Sequence, residues 1–562
     1  MNVDELIKRL KAYPTVTAEL LGASLFANLL ALASPLFVIQ VLNRYVSHGV
    51  DSTLYTLTMG VLIAIAFEVA FRQIRLIIAN ALSQPFDRTN ASGAYDVLTR
   101  ARIDALAHMG PGQKRQIVSA SDAVQQAFSA PNLAAYLDFP FSAVFWFALL
   151  FLSPVLAAIV LVFVLVVVAL GWVNLKAMQA PTEGLQDQMA DRQELLNSAL
   201  IDMDMVRAFT AGGFLRTRWS KMLDGLEAVR TVIAARQGGA QNTSQAVQAL
   251  MSTAIIAVGG MLVVGGNFDV GLLIGANILA ARTLGPIMRI TQLAGVLSTA
   301  QAGLKTLDDA KRLARERHTG SALGAFKGGV ELKDLGFAYP GQPTPLFESL
   351  NLKLEPGALF VVSGANGTGK TTMARLLVGL VSPSRGQILV DGVDLTQVAP
   401  EWWRRQIVYL PQEPGFFSGT VRENILAFNP NLTEEELNTV IRDAGLARFF
   451  STSQDGFDMA LQADGHNLPL GIRRRLALAR ALASGGRLVV LDEPTEGLDG
   501  EGAQQISHVM NALSKQGATI IALSHDPNII KGAPHVLDLN AKPIPRLLHV
   551  QDGDDKVKEG GA

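Results

Sequence analysis

Six apolar windows precede residue 295, at roughly 17–42, 53–77, 132–152, 154–174, 244–265 and 268–290. Each is long enough to cross the ~30 Å hydrocarbon core of a bilayer as a helix. They commit the first half of the chain to a membrane helical bundle. The third and fourth windows are separated only by Ser153 and Pro154, and the fifth and sixth by Gly266, Asn267, Phe268 and Asp269. Neither turn contains Lys or Arg. The two long intervening segments do: Arg72, Arg75, Arg88, Arg100, Arg102, Lys114 and Arg115 in one, and Lys176, Arg192, Arg207, Arg216, Arg218, Lys221, Arg230 and Arg236 in the other. The positive-inside rule then puts both long segments and both termini in the cytoplasm. Their helical spacing, as in LLNSALIDMDMVRAF, predicts spans that continue well beyond the membrane, with a turn near Ala211–Gly212–Gly213.

A chain of 562 residues, 49% hydrophobic and 17% charged, is too long for one domain and suits a membrane part joined to a soluble one. A net charge of −1 gives no general attraction to nucleic acid. The absence of cysteine excludes disulfides, cysteine-ligated zinc and a cysteine nucleophile. Lys8, Arg9 and Lys11 are followed by no small-residue cleavage site, and the apolar run behind them is too long for a signal peptide. Three ionisable residues fall within or beside spans, where they are costly and mark function by default. Glu68 and Arg72 stand i, i+4 and are read as a pair near the cytoplasmic boundary, with a functional role the alternative. Asp138 is placed at an interface or at depth, without a role.

The expected organisation is a short cytoplasmic N-terminus (1–16), a transmembrane domain (17–295), a linker (296–327), an α/β domain (328–543) and a disordered tail (544–562). Strand-like runs occur at VELKDLGFAY, LFVVSG, QILVDG, QIVYLPQ, RLVVLDEP and TIIALSHD, several of them separated by helical stretches.

One of these runs opens VVSGANGTGKT, residues 361–371. It reads as a buried strand, a glycine-rich loop and a helix start. Gly364, Gly369, Lys370 and Thr371 fit G-x-x-x-x-G-K-T. The glycines let successive N–H groups converge on a phosphate, and the helix adds the positive end of its dipole. The cradle runs Gly364, Ala365, Asn366, Gly367, Thr368, Gly369, Lys370, Thr371 and Thr372. Lys370 is placed to reach the β/γ-phosphates and Thr371 to hold Mg²⁺. Five features follow or precede it. Tyr339 in FAYP can stack on adenine. Gln412 in YLPQEP can ligate Mg²⁺ or position water. Asp492 suits the Mg²⁺ shell and Glu493 a general base. Asp499 lies at a short turn, and His525 can contact the γ-phosphate. Any one of these is unremarkable by itself; it is their order behind a phosphate loop that makes an ATP site with Mg²⁺.

Residues 328–543 resemble the nucleotide-binding domain of an ABC transporter, and the six spans ahead of them resemble an exporter half-transporter. The resemblance implies a P-loop ATPase core with an inserted helical subdomain at about 415–480, and two ATPs sandwiched between two such domains. SPLFVIQVLNRYVSHGVDSTLYTLTMG, YLDFPFSAVFWFALLFLSP and GLLIGANILAARTLGPIMRITQLAG resemble the permease/ATPase of type I secretion systems. That resemblance implies a multi-pass protein of a bacterial inner membrane. It also implies an unfolded polypeptide as cargo, and a membrane-fusion protein and outer-membrane pore as partners. The peptidase-like domain of some relatives has no room in the 16 residues before the first window.

The family signature L-S-G-G-Q appears here as Leu468-Pro469-Leu470-Gly471-Ile472, ahead of Arg473, Arg474 and Arg475. Pro469 lacks both the hydroxyl and an N–H, Leu470 puts bulk where backbone should approach phosphate, and Ile472 lacks the amide. An acidic position upstream is Ala463, with Asp464 beside it. The expectation is an ATP-hydrolysing exporter subunit, one half of a heterodimer whose second half-transporter supplies an intact signature in trans. The alternatives are a heterodimeric exporter of lipids, peptides or small molecules, and an ATP-binding regulatory or channel-like subunit.

Overall fold

The computed structural model describes residues 3–46, 49–201, 203–322, 324–339, 341–342, 344–549 and 558–559. The chain divides into two compact units, Met1–Ala101 with Ala105–Arg315, and Arg102–Asp104 with Glu316–Ala562.

The first unit is helical. Among the described residues, six helices are long and apolar enough to cross a membrane: Pro14–Val46, Asp51–Arg100, Ala130–Leu152, Pro154–Ala199, Gly212–Val264 and Val270–Gln292. The second, fourth and fifth run 50, 46 and 53 residues. At 1.5 Å per residue these are about 70–80 Å long, more than twice the ~30 Å apolar core, so they extend well past it. The expected turns appear where the sequence marks them. Ser153 is extended (φ −157°, ψ 112°), and Pro154 opens the fourth span, where its missing N–H costs nothing. The break before the fifth span falls at Phe209–Ala211, two residues earlier than the glycines suggested, with Thr210 in the left-handed region (φ 51°).

Helix–helix packing carries more polar content than apolar windows reveal. Asp138 is buried at 7% exposure and receives Arg75 of the second span and Asn28 Nδ2 of the first, at 3.0 Å. A residue given no role thus ties three spans together. Glu68 pairs with Arg72 at 2.9 Å, as the i, i+4 spacing predicted. Arg9, on the helix Val3–Ala12, is fully buried. It meets Asp87 at 3.1 Å and lies 4.5 Å from the Phe128 ring centroid. The sequence presented this segment only as a short terminus. The linker expected from residue 296, helical at its start, instead begins inside a helix, Ala294–Lys311, that buries Leu297, Ala300, Leu307 and Ala310 in the core of the first unit.

Among the described residues the second unit holds three sheets. In chain order the strands are β1 (Val330–Phe337), β2 (Phe347–Leu354), β3 (Leu359–Ser363), β4 (Arg385–Val390), β5 (Val393–Asp394), β6 (Ile407–Leu410), β7 (Gly419–Thr420), β8 (Ala460–Leu461), β9 (Leu488–Asp492), β10 (Thr519–Leu523), β11 (His535–Asp538), β12 (Arg546–His549) and β13 (Lys558–Glu559). An antiparallel sheet is ordered β2-β1-β4-β5, the main sheet β13-β12-β11-β3-β10-β9-β6, and β7 pairs β8. Strands β11, β3, β10, β9 and β6 are parallel, so their C-terminal ends share one edge. They read as unbroken apolar runs because both faces are covered. Leu488 and Val490 of β9 enter one core, and Val489 and Leu491 the other. The insertion carries the helices Val421–Leu426, Glu434–Asp443, Ala447–Ser451 and Leu470–Leu482.

Two departures concern strands. β2 and β11 had no counterpart among the expected runs, because FESLNLKL alternates with polar residues and HVLD is short. Two stretches of the expected disordered tail (544–562) are instead strands: Arg546–His549 pairs antiparallel with β11, and Lys558–Glu559 with β12. Residues 550–557 and 560–562 of that tail lie outside the described residues.

Candidate active site

β3 lies between β10 and β11 in the main sheet, and its chain leaves the C-terminal edge directly into the glycine loop. Open α/β sheets place ligand sites at this edge. Gly367 and Gly369 have φ of +81° and +111°, a region that L side chains avoid. At Gly369 a Cβ would also lie 2.6 Å from Leu346. The helix Lys370–Leu377 begins immediately after it. The tip Ala365–Gly367 is exposed, while Gly364, Thr368, Lys370 and Thr372 are buried. Asn540 Oδ1 accepts the Ala365 N–H at 2.9 Å and supports the tip from beyond β11.

Glu493 follows β9 in the left-handed region, φ +48°. For a residue with a side chain this is strained by about 1–3 kcal/mol. Its N–H bonds Leu523 O at 2.8 Å, so the end of β10 holds the turn in place. The carboxylate is 3% exposed. It meets Lys370 Nζ at 3.1 Å and His525 Nδ1 at 2.9 Å, and it accepts the Ser524 hydroxyl at 3.3 Å. Lys370 also donates to Gly364 O at 2.6 Å, so it is folded onto its own loop. Glu493, Lys370 and His525 therefore all follow the ends of three adjacent parallel strands, β9, β3 and β10.

Beside them, Thr371 donates to Gln412 Oε1 at 3.1 Å. Asp492 is 1% exposed, and neither carboxylate oxygen has a partner meeting hydrogen-bond geometry among the described residues. Burial pushes its carboxyl up to about 6, although the nearby Thr371 hydroxyl pulls the other way. An orphaned buried carboxylate next to a hydroxyl and a carboxamide oxygen fits a hard divalent cation such as Mg²⁺. Tyr339 joins the group through its hydroxyl, 2.6 Å from Thr372 Oγ1, and its ring is 38% exposed. Gly364–Thr372, Gln412, Asp492, Glu493, His525 and Tyr339 thus all lie on one edge.

Leu468–Ile472 contribute no hydrogen bond to this cluster among the described residues. Pro469 caps the helix Leu470–Leu482 without a side-chain bond, Leu470 is 44% exposed, and Ile472 packs into the core of the insertion. Asp464 does not stand free beside Ala463. Its carboxylate accepts the Phe416 N–H and pins the loop after Gln412. Asp499 caps the helix Gly500–Lys515 through Gly502 N at 2.8 Å and pairs with Arg475. Sequence reasoning did not find Asn540, Glu496 or Arg474. Glu496 accepts from Gln412 Nε2 at 3.2 Å and from Arg474 at 3.3 Å. Asn540 and Glu496 are single polar residues in turns and Arg474 is one arginine of a helix; none carries a local pattern, and only the fold brings them together.

The ABC transporter transmembrane region family matches residues 18–287, and the ABC transporter family matches residues 347–496. The leukotoxin translocation ATP-binding protein LktB of Mannheimia haemolytica is 26% identical over 531 residues, 93% of this chain and 74% of that one. The protein of the same name from Bibersteinia trehalosi matches to the same extent. A solved bacterial Atm1-family ABC exporter with ATP bound has the same fold, with a TM-score of 0.82, 19% identity and 94% of each chain covered. With both families matched in order along one chain, and the phosphate loop, acidic pair and histidine gathered at one sheet edge, the chain belongs to the ABC transporters, with a transmembrane region followed by an ATP-binding domain.

Proposed function

We propose that the chain is an ATP-driven exporter subunit of a type I protein secretion system, working as one half of a heterodimer. The likeness to the leukotoxin translocation protein supports the cargo class, a polypeptide. The carrying observation for the heterodimer is an asymmetry. The edge that takes this chain's own ATP is complete, while the helix start that would serve a partner's ATP opens on Pro469 and Leu470. The reading includes a bacterial inner membrane, with the ATPase domain and both termini on the cytoplasmic side. It also includes a membrane-fusion protein and an outer-membrane pore as further partners.

In this reading the N–H groups of Gly364–Thr372 and the Lys370 ammonium hold the triphosphate, and the Tyr339 ring lies against the base. Binding draws Lys370 away from Glu493, 3.1 Å distant, toward the phosphates. That frees the carboxylate to accept a proton from the attacking water. His525, already bonded to Glu493, orients that carboxylate and faces the γ-phosphate. Thr371, Gln412 and Asp492 are the groups that would hold Mg²⁺, which when bound neutralises charge on the phosphate oxygens. Closure of two ATP-binding domains around nucleotide then drives the spans between two access states.

The test is the ATPase rate of the purified chain in lipid, alone and with the partner isolated alongside it by affinity capture. The expected result is slow turnover alone and rapid turnover in the pair. Brisk turnover by this chain alone, abolished by Glu493→Gln, would overturn the heterodimer.

A further inference from the structure

The sixth span presents two different faces. Gly275, Ala276, Leu279, Ala280, Thr283, Leu284, Ile287 and Met288 are buried against neighbouring helices. The unburied stripe, at i+4, i+4, i+3 and i+4 spacing, is Ile274, Ile278, Arg282, Gly285 and Arg289. Other unburied faces in this unit look like lipid-facing surface: Ile63, Ile65, Phe67 and Val69 on the second span are all large, apolar and exposed. The stripe on the sixth span has two arginines and an open glycine, at which an added Cβ would meet nothing within 4 Å.

Depth makes this unusual. Arg282 lies 12 residues past Val270, about 18 Å along the helix. That is inside a core ~30 Å thick. A charged side chain at such a depth is expensive against lipid and is found facing protein or a water-filled path. Its side chain is 38% exposed, and Glu68, 3.8 Å away, already accepts Arg72 at 2.9 Å through the same oxygen. Arg72 is itself 36% exposed. Two guanidinium groups therefore share one carboxylate. Arg289, two turns further, has no carboxylate within ion-pair distance among the described residues. The region carries surplus positive charge with unused donors directed away from the helix core.

We propose that this stripe of the sixth span, with Arg282 and Arg289 and the neighbouring Arg72, lines the route of the exported chain and engages its acidic side chains. The inference rests on the polypeptide-export reading and adds a charge preference to it. Carboxylates of a passing segment supply the anion that Glu68 provides only once, and the absence of a Cβ on Gly285 leaves room for the passing backbone.

The experiment uses the full chain together with its captured partner in nanodiscs of zwitterionic lipid. Two labelled unfolded peptides of equal length are compared, one rich in Glu and one with Gln at each of those positions. The acidic peptide should bind more tightly, and added salt should weaken it. Arg282→Gln and Arg289→Gln should each weaken acidic-peptide binding about tenfold, leave the Gln peptide unchanged, and be rescued by lysine at the same position. Arg289 has no ion pair to lose, so its variant keeps the test sound if Arg282→Gln disturbs packing. Equal binding of the two peptides, or no effect of either glutamine variant, overturns the charge preference and leaves polypeptide export standing. Failure of both peptides to bind overturns the export reading and this inference with it.

Discussion

The phosphate-loop edge and the start of the helix Leu470–Leu482 belong to the same unit but are built to different standards. At the edge nearly every polar group has a partner: Lys370 with Glu493, Glu493 with His525, Thr371 with Gln412, and Ala365 with Asn540. The exception is Asp492, whose bare carboxylate suits a cation. At the helix start Pro469 provides no capping side chain and Leu470 stands half exposed. The arginines behind it turn back into their own chain, Arg474 toward Glu493 O and Glu496, and Arg475 toward Asp499. On the proposed function, groups that bind a nucleotide in cis and groups offered to another subunit are separate parts of one domain. In the proposed reading one loses its chemistry while the other stays intact, which the core beneath the helix, from Leu476 to Ala481, permits because it involves neither.

The largest effect should come from the intact side. Glu493→Gln, assayed with the partner present, should reduce turnover by about 10²–10⁴-fold while ATP still binds. Lys370→Ala should instead lose ATP binding as well, since it removes the only buried ammonium in the cradle. If both variants keep more than half the activity of the pair, the complete edge is not the motor and the comparison collapses.

The next effect belongs to the helix start. Replacing Pro469 by Ser, Leu470 by Gly and Ile472 by Gln together should raise ATP turnover of this chain without its partner by at least about tenfold. A hydroxyl at the cap accepts a helix N–H, and a glycine lets backbone approach phosphate. An unchanged rate with normal assembly would mean that the helix start is not what limits the isolated chain.

A third test reads Asp492 through pH. Its folded pKa of about 6 lies above the usual value of 3.8. Below pH 4 the group is protonated whether folded or not and has no effect. As pH rises from 4 to 6 the unfolded chain ionises first, and nucleotide-free stability falls. The full cost, about 3 kcal/mol for a shift of about two units, is present above pH 6. Asp492→Asn should therefore raise the melting midpoint at pH 7 and show little difference from wild type below pH 4. Mg²⁺ reverses the sign by favouring the ionised form, so Mg²⁺-dependent stabilisation should weaken as pH falls through 6.

The site was legible in the sequence to an unusual degree because its chemistry sits at strand ends. Apolar runs such as RLVVLDE and TIIALSH announce a buried parallel strand and place the reactive residue just past it. The spans were legible for a similar reason, since hydropathy alone reports them. The partnerships that cross between elements were not. Asn540, Glu496 and Arg474 are ordinary loop and helix residues until the sheet order is known. The Asp138–Arg75–Asn28 cluster joins residues 63 and 110 positions apart. The start of the expected linker was legible as helical, but not that the helix Ala294–Lys311 is core: half of its apolar positions are small alanines, which signal weakly in sequence yet bury well against neighbouring helices.

The smallest effect separates two roles of Tyr339, the part of the intact edge nearest to solvent. Its hydroxyl bonds Thr372 in the first turn after the loop, while its ring packs edge-on to Phe337 at 5.0 Å and leaves one side open. Tyr339→Phe removes only the bond and should cost about 0.5–1.5 kcal/mol of stability, with ATP affinity nearly unchanged. Tyr339→Ala also removes the ring, and stacking of a base on an aromatic side chain contributes about 1–3 kcal/mol. ATP affinity measured by titration should therefore drop about fivefold or more for Ala and little for Phe. Equal losses for the two variants would assign Tyr339 to supporting the loop rather than touching the base. The complete edge would then lack its adenine contact.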